Sequence, residues 1–544
     1  MKREFAVVDL FAGPGGLAEG FSSVVAGQKY KPFKIALSIE KESPAHATLL
    51  LRSFLRQFED HFPDEYYDFL NSDSMEPDWS AIYPVEWAAA NQEALKLTLG
   101  DKDAEAVLHE KIDAIRTNHG GDTIVIGGPP CQAYSLVGRA RNRGKQDYVA
   151  ENDPKHYLYR HYIEILGRLR PAAFVMENVK GMLSSSVDGS PIFGRVLEDL
   201  RDAAGRDSYT LLALSPRKQT SGEPSPSDFI LRSEDFGVPQ ARHRVIVVGL
   251  RRDITGRIGE RRLRETALLP DPHRARVCDV LDGMPELRSG LSRGQDNLPA
   301  WRTALKHAAE GVLSSPPNLP ETLRLKFQKI LLEVANQAAN GKITRRKAAQ
   351  PNGIGADCPA SLMGWLLDSN LDVLPNNETR GHMASDLSRY LFAATFARVT
   401  GLSPKAGDFP ESLAPAHRNW STGKFSDRFR VQIADAASTT VTSHISKDGH
   451  YFIHPDPHQC RSLTVREAAR LQTFPDNYYF KGNRTEQFIQ VGNAVPPFLA
   501  KQIAEALHSL LTTADANQEF RQPPQTREPE MVEPETLLES ATSL

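Results

Sequence analysis

The chain has 544 residues, 40% hydrophobic and 24% charged, and its 65 Lys and Arg against 68 Asp and Glu give a formal net charge of −3. It is too apolar for a disordered chain and too near neutral to coat nucleic acid by charge alone, although a local basic groove stays open. Four cysteines far apart (Cys131, Cys278, Cys358, Cys460) suggest no disulfide framework and fit a reducing compartment; no apolar run approaches the ~20 residues of a membrane span, and the start does not read as a signal peptide.

At roughly 100–200 residues per domain, the length accommodates two to four domains, or one large domain with insertions. Phe5–Phe11 reads as a strand, followed by Gly13-Pro14-Gly15-Gly16 and a helical run. Lys34–Ile39 is a second strand, ending at Glu40, and Asp122–Ile126 a third, ending in Gly127-Gly128-Pro129-Pro130. Ala172–Met176 and Arg244–Gly249 are a fourth and a fifth. Continuous apolar runs bounded by turn residues suit strands buried on both faces of a parallel sheet, and the helical segments between them predict a doubly wound α/β domain. From about 251 to 440 no strand–helix rhythm shows, which suggests a separate irregular domain or a large insertion. Regularity returns at Ser462–Leu471, where Ser462 or Thr464 could cap a helix, with Glu467 three after Thr464. A final helix is expected from about Pro497 to Leu511.

Charge is segregated. Residues 1–120 carry 12 basic and 20 acidic side chains, whereas 139–145 hold Arg139, Arg141, Arg143 and Lys145 with no acid. Residues 251–276 carry eight Arg against four acids, and 324–347 seven basic residues against one acid. Residues 514–544 carry seven acids against two bases and read as a disordered tail.

Four places could carry chemistry. The glycine loop after the first strand lets backbone approach a ligand closely, and an acid at the end of the second strand, Glu40, could accept from ribose hydroxyls; a purely structural turn is the alternative. Cys131 follows the third strand at the edge where α/β folds place ligands, as a nucleophile or as a small buried hydrophobe. Glu177, just past the fourth strand, could hold a proton or be a loop carboxylate. Arg242 and Arg244, alternating about one residue, put both guanidinia on one side of an extended segment, which suits a phosphate or carboxylate as well as surface ion pairs. His454, His458 and Cys460 have only loose metal-like spacing, and no metal is expected.

In combination these elements resemble the DNA cytosine-C5 methyltransferase family. Asp9-Leu10-Phe11-Ala12-Gly13-Pro14-Gly15-Gly16 resembles its first cofactor motif, Pro129-Pro130-Cys131-Gln132 its nucleophile motif and Glu177-Asn178-Val179 its Glu-Asn-Val. Gln240-Ala241-Arg242-His243-Arg244 resembles its Gln-x-Arg-x-Arg, the run from Arg461 to Pro475 its ninth motif, and Gln490–Pro497 its tenth. The six occur in the family's order and cover about 1–250 and 455–510. The acid of the third motif is not clear, with Asp73 and Asp101 as candidates. The long span before the ninth motif is where the family carries its target-recognition domain, and Thr440-Val441 resembles the pair that ends it.

The resemblance implies a Rossmann-like S-adenosylmethionine-dependent domain with a smaller, irregular recognition domain. The expected divisions are a catalytic and cofactor-binding domain at 1–250, a recognition domain with the ninth motif at 251–482, a returning segment at 483–512 and an acidic tail at 513–544. It implies Cys131 as nucleophile, Glu177 acting at cytosine N3, and Arg242 and Arg244 binding the base. Phe11, Gly13, Gly15, Gly16, Leu17, Glu40, Pro129, Asn493 and Val495 are the expected cofactor residues. Gln132, Ser135, Arg139, Arg141, Arg143 and Thr440 are the expected DNA contacts, the arginines on a loop that resembles the one closing over a flipped base, with a solvated basic surface loop as the alternative. It also implies duplex DNA as substrate, a cognate restriction endonuclease, a monomeric state and a bacterial cytoplasmic setting. An RNA cytosine methyltransferase, a non-catalytic DNA-binding regulator and a nicotinamide oxidoreductase are the competing readings.

Overall fold

The computed structural model describes residues 3–27, 29–72, 74–130, 158–187, 190–216, 223–337, 343–346, 353–415, 420 and 427–521. Its centre is an eight-stranded sheet made of β1 (Phe5–Leu10), β2 (Phe33–Glu40), β3 (Ala94–Lys96), β4 (Thr123–Gly127), β5 (Ala173–Val179), β6 (Tyr209–Leu212), β7 (Ile230–Arg232) and β8 (His243–Arg251). The order is β3-β2-β1-β4-β5-β8-β6, with β7 also paired to β8. β1 to β5 are mutually parallel, as expected from the buried apolar runs of β1, β2, β4 and β5; the short edge strand β3 has no such run and lies outside the expected strands. The fifth expected strand, β8, differs: it runs antiparallel to β5, β6 and β7. The chain from β7 to β8 is shorter than the dozen or so residues that a parallel crossover needs, so the two pair antiparallel.

Strand order reverses at β1, with β2 and β3 on one side and β4 and β5 on the other. The loops after β1 and β4 therefore open side by side at the carboxyl edge, the place where open α/β sheets hold ligands. The helices that matter are α1 (Gly16–Ser22), α2 (Ser43–Leu55), α3 (Lys102–His119), α4 (Leu158–Leu169), α5 (Ile192–Arg201), α6 (Leu298–Ser314), α7 (Glu321–Gln337), α8 (Ala384–Thr400), α9 (Val465–Leu471), α10 (Arg484–Asn493) and α11 (Pro497–Arg521).

Alternation along β1 sends Ala6, Val8 and Leu10 to one face of the sheet and Phe5 and Val7 to the other. The first face is covered by α3, α4 and α5, through residues such as Ile112, Leu166 and Val196. The second is covered by α1, α9 and α11, through Phe21, Ala468 and Ile503 among others. Segments 277–284 and 362–374 share that second core. A separate core joins α6, α7 and α8 around Trp301, Phe327 and Tyr390, so the span without rhythm holds three long helices packed on one another. A fourth, aromatic cluster (Phe54, Tyr66, Trp79 and neighbours) fills the stretch between α2 and β3.

Thr464, rather than Ser462, caps α9, in a reciprocal capping box with Glu467. α11 runs well past the expected end at Leu511. Ala514 is 1% exposed and Asp515 accepts from Arg3 at 2.7 Å, so the chain is helix as far as Arg521, inside the span expected as tail. Packing accounts for the extension: an apolar face docks where composition alone suggests solvent.

Candidate active site

β1 hands over to the glycine loop at Phe11, a non-glycine residue at φ 59°, followed by Gly13 at 59° and Gly15 at 98°. Ala12 N–H donates to Ile39 O at 3.0 Å, and Gly15 N–H to Ala12 O at 3.0 Å. Gly13 N–H donates to Glu40 Oε2 at 2.9 Å, while Glu40 Oε1 accepts from the N–H groups of Lys41 (2.8 Å) and Glu42 (2.7 Å). Of the roughly four lone pairs on a carboxylate, backbone therefore occupies three, and one on Oε2 is left for a ligand. Among the described residues nothing lies within 4 Å of where a Cβ on Gly13 would be, so the loop is open on that side. At Gly16 the reverse holds, since a Cβ would overlap the carbonyl oxygen of Val495. The tenth motif thus closes directly on the first. Leu17 and Val495 are buried there, and Asn493 at the end of α10 is exposed.

Below the loop lies Asp9, the first residue of the first cofactor motif, to which the resemblance assigns no role. Asp9 is fully buried with neither carboxylate oxygen hydrogen-bonded, and burial pushes its pKa well above the usual carboxylate range. Asp101, one candidate for the third-motif acid, caps α3 by accepting from Asp103 N–H at 3.0 Å. Asp73, the other candidate, lies outside the described residues.

The neighbouring loop leaves β4 at Gly127 and runs through Gly128, Pro129 and Pro130. Cys131, Gln132, Ser135, Arg139, Arg141 and Arg143 lie outside the described residues. What surrounds the approach to Cys131 is described. Gly127 pairs with Met176 on β5, which puts Glu177 at the same edge. Glu177 Oε2 would be 2.8 Å from a Cβ on Gly128, so only a glycine admits the carboxylate this close. Asn178 Nδ2 donates to Pro129 O at 3.1 Å, and its Oδ1 accepts from Val179 N–H at 2.8 Å.

The two arginines expected to act on one ligand are divided in their bonding. Arg244 Nε lies 2.8 Å from Glu177 Oε1, an ion-pair approach in which the N–H is not aimed at the oxygen. Arg242, 1% exposed, donates from Nη1 to the carbonyls of Val441 (2.9 Å) and Gly492 (3.2 Å). Burial, then the like charge of Arg244, pushes the Arg242 pKa well down, against the pull of Glu177. Thr440 Oγ1 donates to Ala241 O at 2.6 Å, so the segment expected to end the recognition domain is fastened to β8's approach.

Two glutamines complete the junction, and the motif resemblance quoted them without a role. Gln240 Oε1 accepts from Val441 N–H at 2.8 Å and its Nε2 donates to Gln472 Oε1 at 2.6 Å. Gln472 Nε2 in turn donates to Val491 O (2.9 Å) and Ala494 O (2.8 Å). One buried chain of amides therefore joins the Gln-x-Arg-x-Arg run to the ninth and tenth motifs. A buried Gln with all its polar atoms bonded fixes register more than it adds stability. The cue was partial: Gln240 is an uncharged polar residue between Pro239 and Ala241, whereas Gln472 lies between Leu471 and Thr473. His454, His458 and Cys460 make separate bonds, to Asp456 N–H, Asp456 Oδ1 and Leu387 O.

The family model for C-5 cytosine-specific DNA methylases matches residues 81–509. The chain belongs to that family. It is a DNA (cytosine-5-)-methyltransferase, an enzyme that moves a methyl group from a donor to DNA. The chain is 32% identical over 521 residues to the type II methyltransferase M.Bpa9945I of Bacillus paralicheniformis, a match that covers 93% of this chain and 99% of the relative. To the type II methyltransferase M.AgeI of Thalassovita gelatinovora it is 27% identical over 523 residues, covering 92% and 98%. To the DNA (cytosine-5-)-methyltransferase M.ApeKI of Aeropyrum pernix it is 27% identical over 408 residues, covering 71% and 81%. Among the described residues no helix of this methyltransferase is long and apolar enough to cross a membrane.

Proposed function

We propose that this methyltransferase modifies C5 of a cytosine flipped out of duplex DNA, with S-adenosylmethionine as donor and a covalent Cys131 adduct as intermediate. The observation that carries the reading is the meeting, at one sheet edge, of Glu177, Arg244 and the Gly128-Pro129-Pro130 segment that leads into Cys131, beside the open glycine loop.

The cradle fits such a donor. Gly13 is open above, Glu40 keeps one lone pair for a ribose hydroxyl, and Val495 closes the far side. Phe11, Gly15, Gly16, Leu17, Pro129 and Asn493 would complete its surroundings. When bound, the donor supplies an electrophilic methyl group. The protein's own part is to make C5 nucleophilic. The Cys131 thiolate adds to C6, Glu177 donates to N3 as charge builds on the ring, and C5 becomes enamine-like. Arg244 holds Glu177 and the base, and Arg242 acts behind it by fixing Val441 and Gly492. After transfer the C5 proton leaves through water to solvent or a base, and the C5–C6 double bond re-forms as Cys131 departs. A pocket of this kind cannot reach C5 within a stacked duplex, so the base must flip. Gln132, Ser135, Arg139, Arg141, Arg143 and Thr440 would line the DNA side, and the α6–α8 unit with the basic segments 251–276 and 324–347 would read sequence. The type II names of the relatives support a role in protecting host DNA from a cognate endonuclease; a bacterial cytoplasmic setting and a monomeric state belong to the same proposal.

The test is methyl transfer from labelled S-adenosylmethionine to duplex DNA and to tRNA, with mapping of 5-methylcytosine in a methylation-free host. A single sequence motif in DNA, lost in Cys131→Ser, is expected. Activity on tRNA alone, or unchanged turnover in Cys131→Ser, would overturn the reading.

A further inference from the structure

Tyr478 lies three residues beyond the run that resembles the ninth motif, and its fully buried hydroxyl donates to the carbonyl of Pro14 inside the glycine loop. The same peptide unit has its N–H, that of Gly15, bonded to Ala12 O at 3.0 Å. Because a peptide is planar, fixing both its ends fixes its orientation. Pro14 has no N–H of its own, so its neighbouring peptide plane is the one that can be held in this way. Gly15 makes the approach possible: a Cβ there would sit 3.1 Å from the Tyr478 hydroxyl and 3.0 Å from Leu49 Cδ1.

The phenol is itself held. Arg52 stacks on the Tyr478 ring with its guanidinium carbon 4.4 Å from the centroid. Arg52 also pairs with Glu19 of α1 at 2.5 Å and reaches Asn477 Oδ1 at 3.3 Å. Burial pushes the Tyr478 pKa up, which keeps the hydroxyl a donor at every working pH. Glu40 grips the loop from β2, and Tyr478 grips it from the opposite end of the sequence.

The geometry points to Tyr478, backed by Arg52, as a positioning residue that presets the glycine loop for the adenosyl donor. It does not touch the donor; it acts through the Pro14–Gly15 peptide. This rests on the S-adenosylmethionine reading above, and the experiment separates the two. S-adenosylhomocysteine binding is measured calorimetrically on the full-length enzyme without DNA, alongside DNA binding by gel shift. If the wild type binds no S-adenosylhomocysteine, the donor reading fails. If it binds, Tyr478→Phe is expected to weaken that affinity about five- to tenfold, the usual worth of one buried hydrogen bond plus loop ordering, with DNA affinity within twofold. Tyr209→Phe is the control. It also removes a buried phenol bonded to a proline carbonyl, Pro171 O at 3.1 Å, but at the far end of the sheet, and is expected to leave binding unchanged. Arg52→Lys keeps every phenol and the charge on Glu19 yet removes the stacked fork, and a two- to threefold loss is expected. Wild-type affinity in both Tyr478→Phe and Arg52→Lys, or an equal loss in Tyr209→Phe, would overturn the proposal.

Discussion

Asn178 donates a hydrogen bond to the carbonyl of Pro129, 3.1 Å away, and so ties the residue after Glu177 to the segment that leads into Cys131. The Glu177 carboxylate and the loop that leads into Cys131, the proposed nucleophile, share one fastening, which lets two neighbouring strands hold them in fixed relation.

Asn178→Ala is expected to loosen that relation. Losing a buried bond and leaving Pro129 O unpaired costs about 1–3 kcal/mol. Misplacement of the loop adds a fall in kcat of roughly 10²-fold. Steady-state kinetics and a urea titration on the same sample check both; unchanged kcat in a stable variant would count against the fastening.

Gly16→Ala should separate the first and tenth motifs, since the new Cβ would overlap Val495 O. Overpacking of this kind costs about 1–3 kcal/mol. Gly256→Ala provides the contrast. It sits within the helix Arg252–Ile258 with nothing within 4 Å of the added carbon, and is expected to stabilise by about 0.5–1 kcal/mol. Opposite shifts in melting temperature are the expected outcome.

Arg461 and Glu467 form a pair at 2.6 Å that is 0% and 1% exposed. Arg461→Ala leaves a buried carboxylate without its cation, at a cost of about 3–5 kcal/mol. The double change Arg461→Met with Glu467→Leu removes both charges and is expected to cost much less. Chemical denaturation of the single and double variants distinguishes them.

Acid should weaken the enzyme in two windows. Burial, then Arg461, pushes the His454 pKa down to about 4, whereas in the unfolded chain histidine titrates at about 6.5. Above pH 6.5 the ring is neutral in both states. As pH falls from 6.5 to 4 the unfolded chain takes up a proton that the fold refuses, so stability declines across that interval. Glu467 follows lower down. Burial alone would raise its pKa, but Arg461 and His454 outweigh it and hold it at about 2. Its contribution is present above about 4.5 and is lost as pH falls through 2. The urea midpoint against pH should slope less between 6.5 and 4 in His454→Gln. Some slope remains, because burial also lowers the pKa of His382 and His450.

Much of the catalytic half was legible in the sequence. The five strands were read from apolar runs bounded by Gly and Pro, and the ordered motifs put Glu40, Glu177, Arg244 and Val495 at one edge. Two things were not. Strand direction is set by connection length, so β8 looks like the others in composition while running the opposite way. The α6–α8 unit shows no clean period because α7 leaves Leu325 and Leu332 exposed while burying Phe327 and Leu331, which blurs the apolar stripe. Arg242 shows a further limit. Spacing paired it with Arg244, but its actual partners are the carbonyls of Val441 and Gly492, which only the fold brings near.

The bond from Tyr478 to Pro14 spans 464 positions of sequence. On a ribosome adding about 5–20 residues per second, Pro14 emerges roughly 25–90 s before its tyrosine does. For that interval the nascent chain carries half a cradle. On the proposed reading, the donor cradle is complete only once the last helices are made, and a translation product truncated before Tyr478 is expected to lack the capacity to methylate.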